Sequence, residues 1–349
     1  MESNRAVTVF GAYGHTGRFV VAELCRRGWM PILSGRDADQ LSALGIEHPR
    51  LDTRTASIES PASLDHAVDG ALAVINCAGP FLDTATPVVE AALRARIHYL
   101  DVAAEQRAVL DTFDRHGGAA RNAGIVVLPG MAFYGGLADL LATAAMDDWS
   151  QADSIDVGVA LDSWHPTRGT RLTGARNHYP RLVVSGGRLE RLADPTPTRE
   201  WTFPAPFGTQ PMEALPLSET ITISHHLSVR ELHSYMNLAP LKDLRNPDTP
   251  APLASDPQGR SSQRFAMEVI VRNGTQLRRE LAVGRDIYAI AAPLIVGAME
   301  RILDGRCRTQ GVTTAGAAFD ARDFLAAIGS TADDGFTETG FPGKITGAA

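Results

Sequence analysis

Three glycines spaced three apart mark the first place where this chain could do chemistry. They stand in Gly11-Ala12-Tyr13-Gly14-His15-Thr16-Gly17, directly after the apolar run Val7-Thr8-Val9-Phe10. Lacking a Cβ, Gly11 can take the tight turn out of a strand, Gly14 lets an anion approach bare backbone, and Gly17 lets a helix pack close to the sheet. The helix that follows offers free N–H groups and the positive end of its dipole, so a pyrophosphate can be held without lysine. A second cluster, Ser34-Gly35-Arg36, closes the next apolar run. An NAD-binding chain usually has a carboxylate there to bond the ribose 2′-hydroxyl. A hydroxyl, a glycine and a guanidinium suit a 2′-phosphate instead, which predicts NADP(H) as the cofactor. The competing reading of Arg36 is a surface arginine after a turn. A third segment, Cys77-Ala78-Gly79-Pro80-Phe81, ends an apolar run suited to a strand buried on both faces and is assigned to the nicotinamide side.

With a pyridine nucleotide supplying hydride, the protein has to bind it, exclude water and deliver a proton. Tyr134 is the first candidate donor, because a phenol has a proton to give at neutral pH. Asp101 and Tyr99 follow, with hydrogen-bonded structural roles as their alternative. The stretch Asp162–Arg171 supplies His165, Arg168, Thr170 and Arg171 as donors to a carboxylate or other polar substrate, against the alternative of a solvated loop. His178 lies just beyond, on the following helix or turn. His225-His226 does not suggest a metal, since neighbours on a strand point to opposite faces and there is no H-E-x-x-H pattern. No tyrosine has a lysine four positions on, and there is neither a G-x-S-x-G elbow nor a G-K-[ST] phosphate loop. Lys242 and Lys344 are the only lysines among 33 basic residues, so lysine-assisted chemistry has just two positions available.

Alternating elements must position these groups. The pattern predicts a helix over 16–27 stopped by Gly28, strands over 30–33, 53–58, 71–77, 98–102 and 125–128, and helices over 63–68, 87–95 and 107–124, with Pro87 in a first turn. That is the β-α alternation of a doubly wound parallel sheet. Beyond it, Ile155, Val157, Val159 and Leu161 alternate as in a half-buried strand. Phe265 to Val271, Asn273-Gly274 and Leu277 to Val283 read as a hairpin. The stretch 201–216 reads as an extended loop or lid, 244–263 as exposed and mobile, and 287–303 and 319–328 as helices. The expected fold class is therefore α/β: an N-terminal Rossmann sheet over 1–135, and a second α+β domain on a mixed or antiparallel sheet over 136–285. Helices over 286–330 should pack back on the first domain, and 331–349 should form a flexible tail.

These residues resemble the saccharopine dehydrogenase (reductase)-like family. The resemblance is carried by 7–17, Ser34-Gly35-Arg36, the run from Val74 to Phe81, Pro87-Val88-Val89-Glu90-Ala91, and His98-Tyr99-Leu100-Asp101-Val102 with Glu105. It covers 5 to about 140 and is diffuse afterwards. It implies an NADP-binding Rossmann domain joined to a substrate domain, and pyridine-nucleotide-dependent reduction of C=N bonds or, in trans-acting enoyl reductases, C=C bonds. Where such chains commonly read P-G-x-G-F-D-x-x-P-x-D-L, this one has Tyr134 in place of the first aspartate and Leu137 in place of the proline. Glu90 stands about where saccharopine reductases carry a lysine. These departures argue against saccharopine itself as the substrate.

At 349 residues the chain has room for two cores, and its net charge of −7 without a basic tail argues against nucleic acid or an anionic membrane as partner. Cys25, Cys77 and Cys307 are too few and too scattered for a disulfide framework, which fits the cytoplasm. No signal-peptide core precedes the first strand, and the longest apolar run, 287–299, is too short to span a bilayer. The expected partners are a small-molecule substrate and, through an exposed antiparallel sheet, a second copy in a homodimer. A non-catalytic NADP(H)-sensing regulatory or scaffold protein is the alternative from another class.

Overall fold

The computed structural model describes residues 5–331 and the backbone of 337–338. In the first half β1 (Ala6–Phe10), α1 (His15–Arg26), β2 (Met30–Gly35), α2 (Ala38–Glu47), β3 (Thr53–Thr55), α3 (Pro61–Val68), β4 (Ala73–Asn76), α4 (Phe81–Ala95), β5 (His98–Asp101), α5 (Gln106–Ala123) and β6 (Val126–Leu128) alternate strictly. The strands form a parallel sheet in the order β3-β2-β1-β4-β5-β6, extended past β6 by β15 (Gly311–Val312) from the far end of the chain. Val7, Val9, Ala73, Val74 and Ile75 have no exposed surface, as a sheet covered by helices on both faces requires. The order reverses between β1 and β4, which opens a crevice at their carboxyl ends. Helix ends follow local chemistry: Ser60 and Asp37 cap α3 and α2 with their side chains, and Gly28 and Gly124 take left-handed backbone behind α1 and α5.

A five-residue π-helical turn, Phe133–Leu137, leads into α6 (Ala138–Met146) and the second half. There β7 (Ala152–Leu161), α7 (Arg168–Arg176), β8 (Leu182–Ser185), β9 (Arg188–Arg191), β10 (Thr198–Thr202), β11 (Thr209–Ala214), α8 (Ser218–Ser224), β12 (Val229–Asn237), α9 (Leu238–Arg245), β13 (Arg264–Asn273) and β14 (Gln276–Arg285) build a mixed sheet. Its order is β10-β11-β12-β7-β13-β14, with β12 and β7 parallel and the β8–β9 hairpin joined to β12. Asn273 pairs with Gln276 across the expected two-residue turn. Then α10 (Ala291–Leu303), β15, α11 (Ala315–Ala318) and α12 (Ala321–Thr331) return to the nucleotide half, and 337–338 form β16 (Thr337–Glu338) on the edge of β14. Glu300 of α10 accepts from Arg27 at 2.7 Å and from the Trp29 indole at 2.9 Å, tying that helix to α1. One buried core runs from Val9, Leu33 and Leu100 through Leu140 and Leu141 to Val157, Met267 and Leu294. The rest of the expected tail lies outside the described residues.

Five expectations change in the structure. Strand β7 is buried on both faces rather than one, because Trp201 covers its second face; a Cβ on Gly158 would come within 2.6 Å of the Trp201 ring. Trp201 is therefore no part of a lid: β10 and β11 form an antiparallel hairpin whose inner side buries Trp201 and Met212. Helix α4 begins at Phe81, so Pro87 lies inside it rather than in its first turn. Residues 244–263 are irregular, but the Arg171 guanidinium holds the carbonyls of Asn246 and Thr249, and Asp256 holds Arg260 and Arg285. The His pair closes a helix instead of lying on a strand: His225 caps α8 and stacks on Phe113, while His226 turns inward onto Asp139 at 2.6 Å. Among the described residues no group of three or more His, Cys, Asp or Glu side chains is arranged to hold a metal ion, and no helix is long and apolar enough to cross a membrane.

Candidate functional site

The glycine turn is shaped as its spacing predicts. Gly11 has φ +85°, and a Cβ there would come within 2.9 Å of the Ala78 backbone; a Cβ on Gly17 would collide with the Gly11 carbonyl. The N–H groups of Gly11 and Ala12 are spent on the Ser34 carbonyl and that of Gly14 on the Gly11 carbonyl. The first turn of α1, from His15 and Thr16, is therefore the part that offers N–H groups to an anion. The His15 Nε2 is buried without a partner, and burial lowers its pKa despite Asp286, so the ring is a neutral donor or acceptor. Across the turn the Tyr13 ring lies on Gly35, where a Cβ would come within 2.6 Å of it, and the Tyr13 hydroxyl accepts from the Asp37 N–H at 3.2 Å. Arg36 is exposed at this end and has no ion-pair partner among the described residues. Ser34 is fully buried, and its hydroxyl donates to the Arg54 carbonyl.

Below the loop 77–81, Tyr99 donates to Asp101 at 2.7 Å, and Asp101 also accepts the N–H groups of Ala103 and Gly130. Asn76 accepts from Ala78 at 3.0 Å and reaches the Tyr99 hydroxyl. This network joins the ends of β4, β5 and β6 and holds the loop 77–81 in place. Glu105 caps the loop from the side, accepting from Phe81 at 2.9 Å and Ala104 at 3.2 Å; burial outweighs those donors and pushes its carboxyl up to about 7. Burial also pushes the Cys77 thiol up, which keeps it protonated.

The opposite wall comes from the second half. Gly135 and Gly136 let the π-helical turn fold back on Gly130 and Met131, where side chains would collide, and this directs Tyr134 into the crevice. The Tyr134 hydroxyl is buried with no partner, and burial, with Tyr288 and Glu219 nearby, raises its pKa despite Arg181. Thr167 caps α7 by accepting from Thr170, which brings Arg168, Thr170 and Arg171 into the first turn. Tyr288 closes the wall: its hydroxyl accepts from the Trp164 indole at 2.9 Å and lies 3.0 Å from the Thr170 hydroxyl. Asp286, at φ +56°, sets that tyrosine by accepting from the Ser261, Tyr288 and Ala289 N–H groups.

These walls enclose one crevice of about 1080 Å³. It brings together Gly11, Tyr13, Gly14, His15, Thr16, Gly35, Arg36, Cys77, Ala78, Gly79 and Phe81 on one side with Tyr134, Arg168, Thr170 and Arg171 on the other. Ala12, Gly17, Ser34, Pro80, Tyr99 and Asp101 lie behind that surface, and half-buried His165 and exposed His178 are off it. Arg181, Tyr288, Trp164 and Glu105 also line it. No local pattern distinguishes Arg181 or Tyr288, although Glu105 follows the His98–Val102 motif closely. The glycine cradle, the unpartnered His15 and the unpaired Arg36 suit a phosphorylated dinucleotide.

Residues 7–128 match the family model "Saccharopine dehydrogenase NADP binding domain". The chain is 27% identical over 152 residues to a Bos taurus saccharopine dehydrogenase-like oxidoreductase, covering 38% of this chain and 35% of the relative, and 31% identical over 117 residues to the Homo sapiens protein, covering 28% and 27%. The matches thus span about a third of the length of the curated relatives. Apo saccharopine dehydrogenase (L-Glu forming) from Saccharomyces cerevisiae shares the fold, with TM-score 0.66 at 11% identity over 96% of this chain and 99% of that one. Residues 7–128 are thus similar to the NADP-binding domain of saccharopine dehydrogenases, and the described chain shares the fold of the yeast protein.

Proposed function

We propose that the chain is an NADPH-dependent reductase that transfers hydride to a C=N (imine) or conjugated C=C bond of a small polar metabolite. The observation that carries this reading is the continuity of one crevice from Arg36 and the glycine turn to Tyr134 and the first turn of α7. NADPH supplies the hydride when bound, and the protein's own groups do the rest. The first turn of α1 holds the pyrophosphate, Arg36 the 2′-phosphate, and the loop 77–81 the nicotinamide. Tyr134 is the proton donor: its phenol stays protonated at neutral pH, and its buried oxygen has no other bond to break before it meets a substrate. Arg168 and Arg181 orient a polar or anionic substrate group. We assign the reaction to the cytoplasm, in keeping with three free, half-buried cysteines.

The test is NADPH absorbance followed against panels of imines and conjugated enoyl compounds. Turnover of one class and not the other identifies the bond reduced. Tight NADPH binding with no turnover in either panel would replace this reading with that of a nucleotide-sensing regulatory protein.

A further inference from the structure

The crevice does not end at Tyr134. A side pocket of about 190 Å³ opens beside it, and Asn177, Arg181 and Leu217 belong to the walls of both. Arg107, Arg181 and Arg191 line the side pocket, and no aspartate or glutamate does. The scaffold fixes where they stand. Gln106 exchanges two 2.8 Å hydrogen bonds with the Leu182 backbone, which clamps the start of α5 to β8. Leu182 pairs with Arg191 across the β8–β9 ladder, and the Arg181 guanidinium donates to the Pro216 carbonyl at 3.1 Å.

The charges of this wall are only partly balanced. Arg107 has an ion pair with Asp111 at 2.5 Å, yet its Nε is buried without a hydrogen-bond partner. Arg191 has no ion-pair partner among the described residues. Glu219, the carboxyl facing Arg181, is driven toward its neutral form by burial. With Arg191 unpaired and the Glu219 carboxyl facing Arg181 driven toward neutrality, the guanidinium charge at this wall exceeds the carboxylate charge beside it and favours an anion, and the planar forks match a carboxylate or phosphate. The volume admits such a group but not a ring system of drug size.

We propose that this pocket binds the remote anionic group, carboxylate or phosphate, of a substrate whose reducible bond lies beside Tyr134. This rests on the reductase reading and adds a substrate class to it: a metabolite with an anion at the end away from the reacting carbon. Arg181 stands where the two cavities meet and contacts the connecting part of such a molecule.

The full chain, saturated with NADP+ so that Arg36 is occupied, is titrated calorimetrically with inorganic phosphate and with glutarate. At least one of them binds, Arg191→Ala weakens that binding tenfold or more, Arg191→Lys restores part of it, and NADP+ affinity stays unchanged in both variants. The tighter of the two probes tells phosphate from carboxylate. Wild-type chain that binds neither probe more tightly than Arg191→Ala overturns the proposal. So does binding abolished by Arg168→Ala and untouched by Arg191→Ala, which would put the anion in the main crevice. If wild type does not bind NADP+, the reductase reading falls. The same titrations on the chain alone then decide the side pocket by the same Arg191 criterion.

Discussion

The two ends of the crevice are made by different means. At the nucleotide end the groups come from 11–16, 35–40 and 77–81, short segments in which bare backbone does much of the work. At the substrate end they are side chains from Tyr134, the 167–175 turn and helix, Arg181, Leu217 and Tyr288, delivered by five separate parts of the chain. An anion held by main-chain N–H groups needs a particular local backbone, so its residue types are constrained locally. A pocket of side chains constrains only where distant elements meet.

That contrast can be broken or sharpened by substitution. The largest effect is expected at the substrate end. Tyr134→Phe keeps the ring and removes the proton, so kcat should fall about 10²- to 10⁴-fold while NADPH affinity, read by fluorescence titration, is unchanged. A variant that turns over normally would remove Tyr134 from the chemistry and leave it as a wall. Next comes the nucleotide end: Arg36→Ala should weaken NADPH binding about 10- to 150-fold, equivalent to roughly 1.5–3 kcal/mol for a charge-assisted bond, with little change for NADH. Equal losses for both nucleotides would show that Arg36 reads something other than the 2′-phosphate.

The smallest effect is expected inside the second half, where His226 at the end of α8 meets Asp139 at the head of α6. Burial alone would lower the His226 pKa, but the Asp139 carboxylate at 2.6 Å overrides it and the net shift is upward. A folded pKa above the unfolded value means that the pair's stabilisation is complete below the unfolded pKa of about 6.5 and is lost as pH rises through the folded value. His226→Asn should therefore cost about 1.5 kcal/mol of unfolding free energy near pH 6 and progressively less toward pH 9. Denaturant unfolding of both proteins across that range gives the comparison, and a cost that does not change with pH would show the pair to be neutral throughout.

Much of the nucleotide half could be read directly from the residues. The strands, the glycine turn and the loop 77–81 stand where the pattern put them, because glycine placement and buried apolar runs report local backbone and burial. Asp101 and Tyr99 show the limit of that approach. Their position at a strand end suggested the crevice, but each finds a partner below it, and only the packing of β4, β5 and β6 reveals which way they face. In the second half, proline and aromatic content suggested a lid at 201–216. The same aromatics instead bury a face of β7 that alternation alone had left open, since period 2 reports one covered face and cannot announce a second cover arriving from elsewhere.

What the sequence determined by itself was the cradle: Gly11 at positive φ, Gly17 where no side chain fits, and the absence of a carboxylate at 34–36. Each of these is a property of a few adjacent residues. Tertiary structure alone decided that Arg181 and Tyr288, 107 residues apart by their numbering, should share a wall with Tyr134. It also decided that three arginines from two different elements and a loop should line one side pocket whose wall carries no aspartate or glutamate. The physical reason is that these side chains carry no local conformational demand; their meeting follows from how α5, α7, the β8–β9 hairpin and the turn before α10 pack around the same crevice.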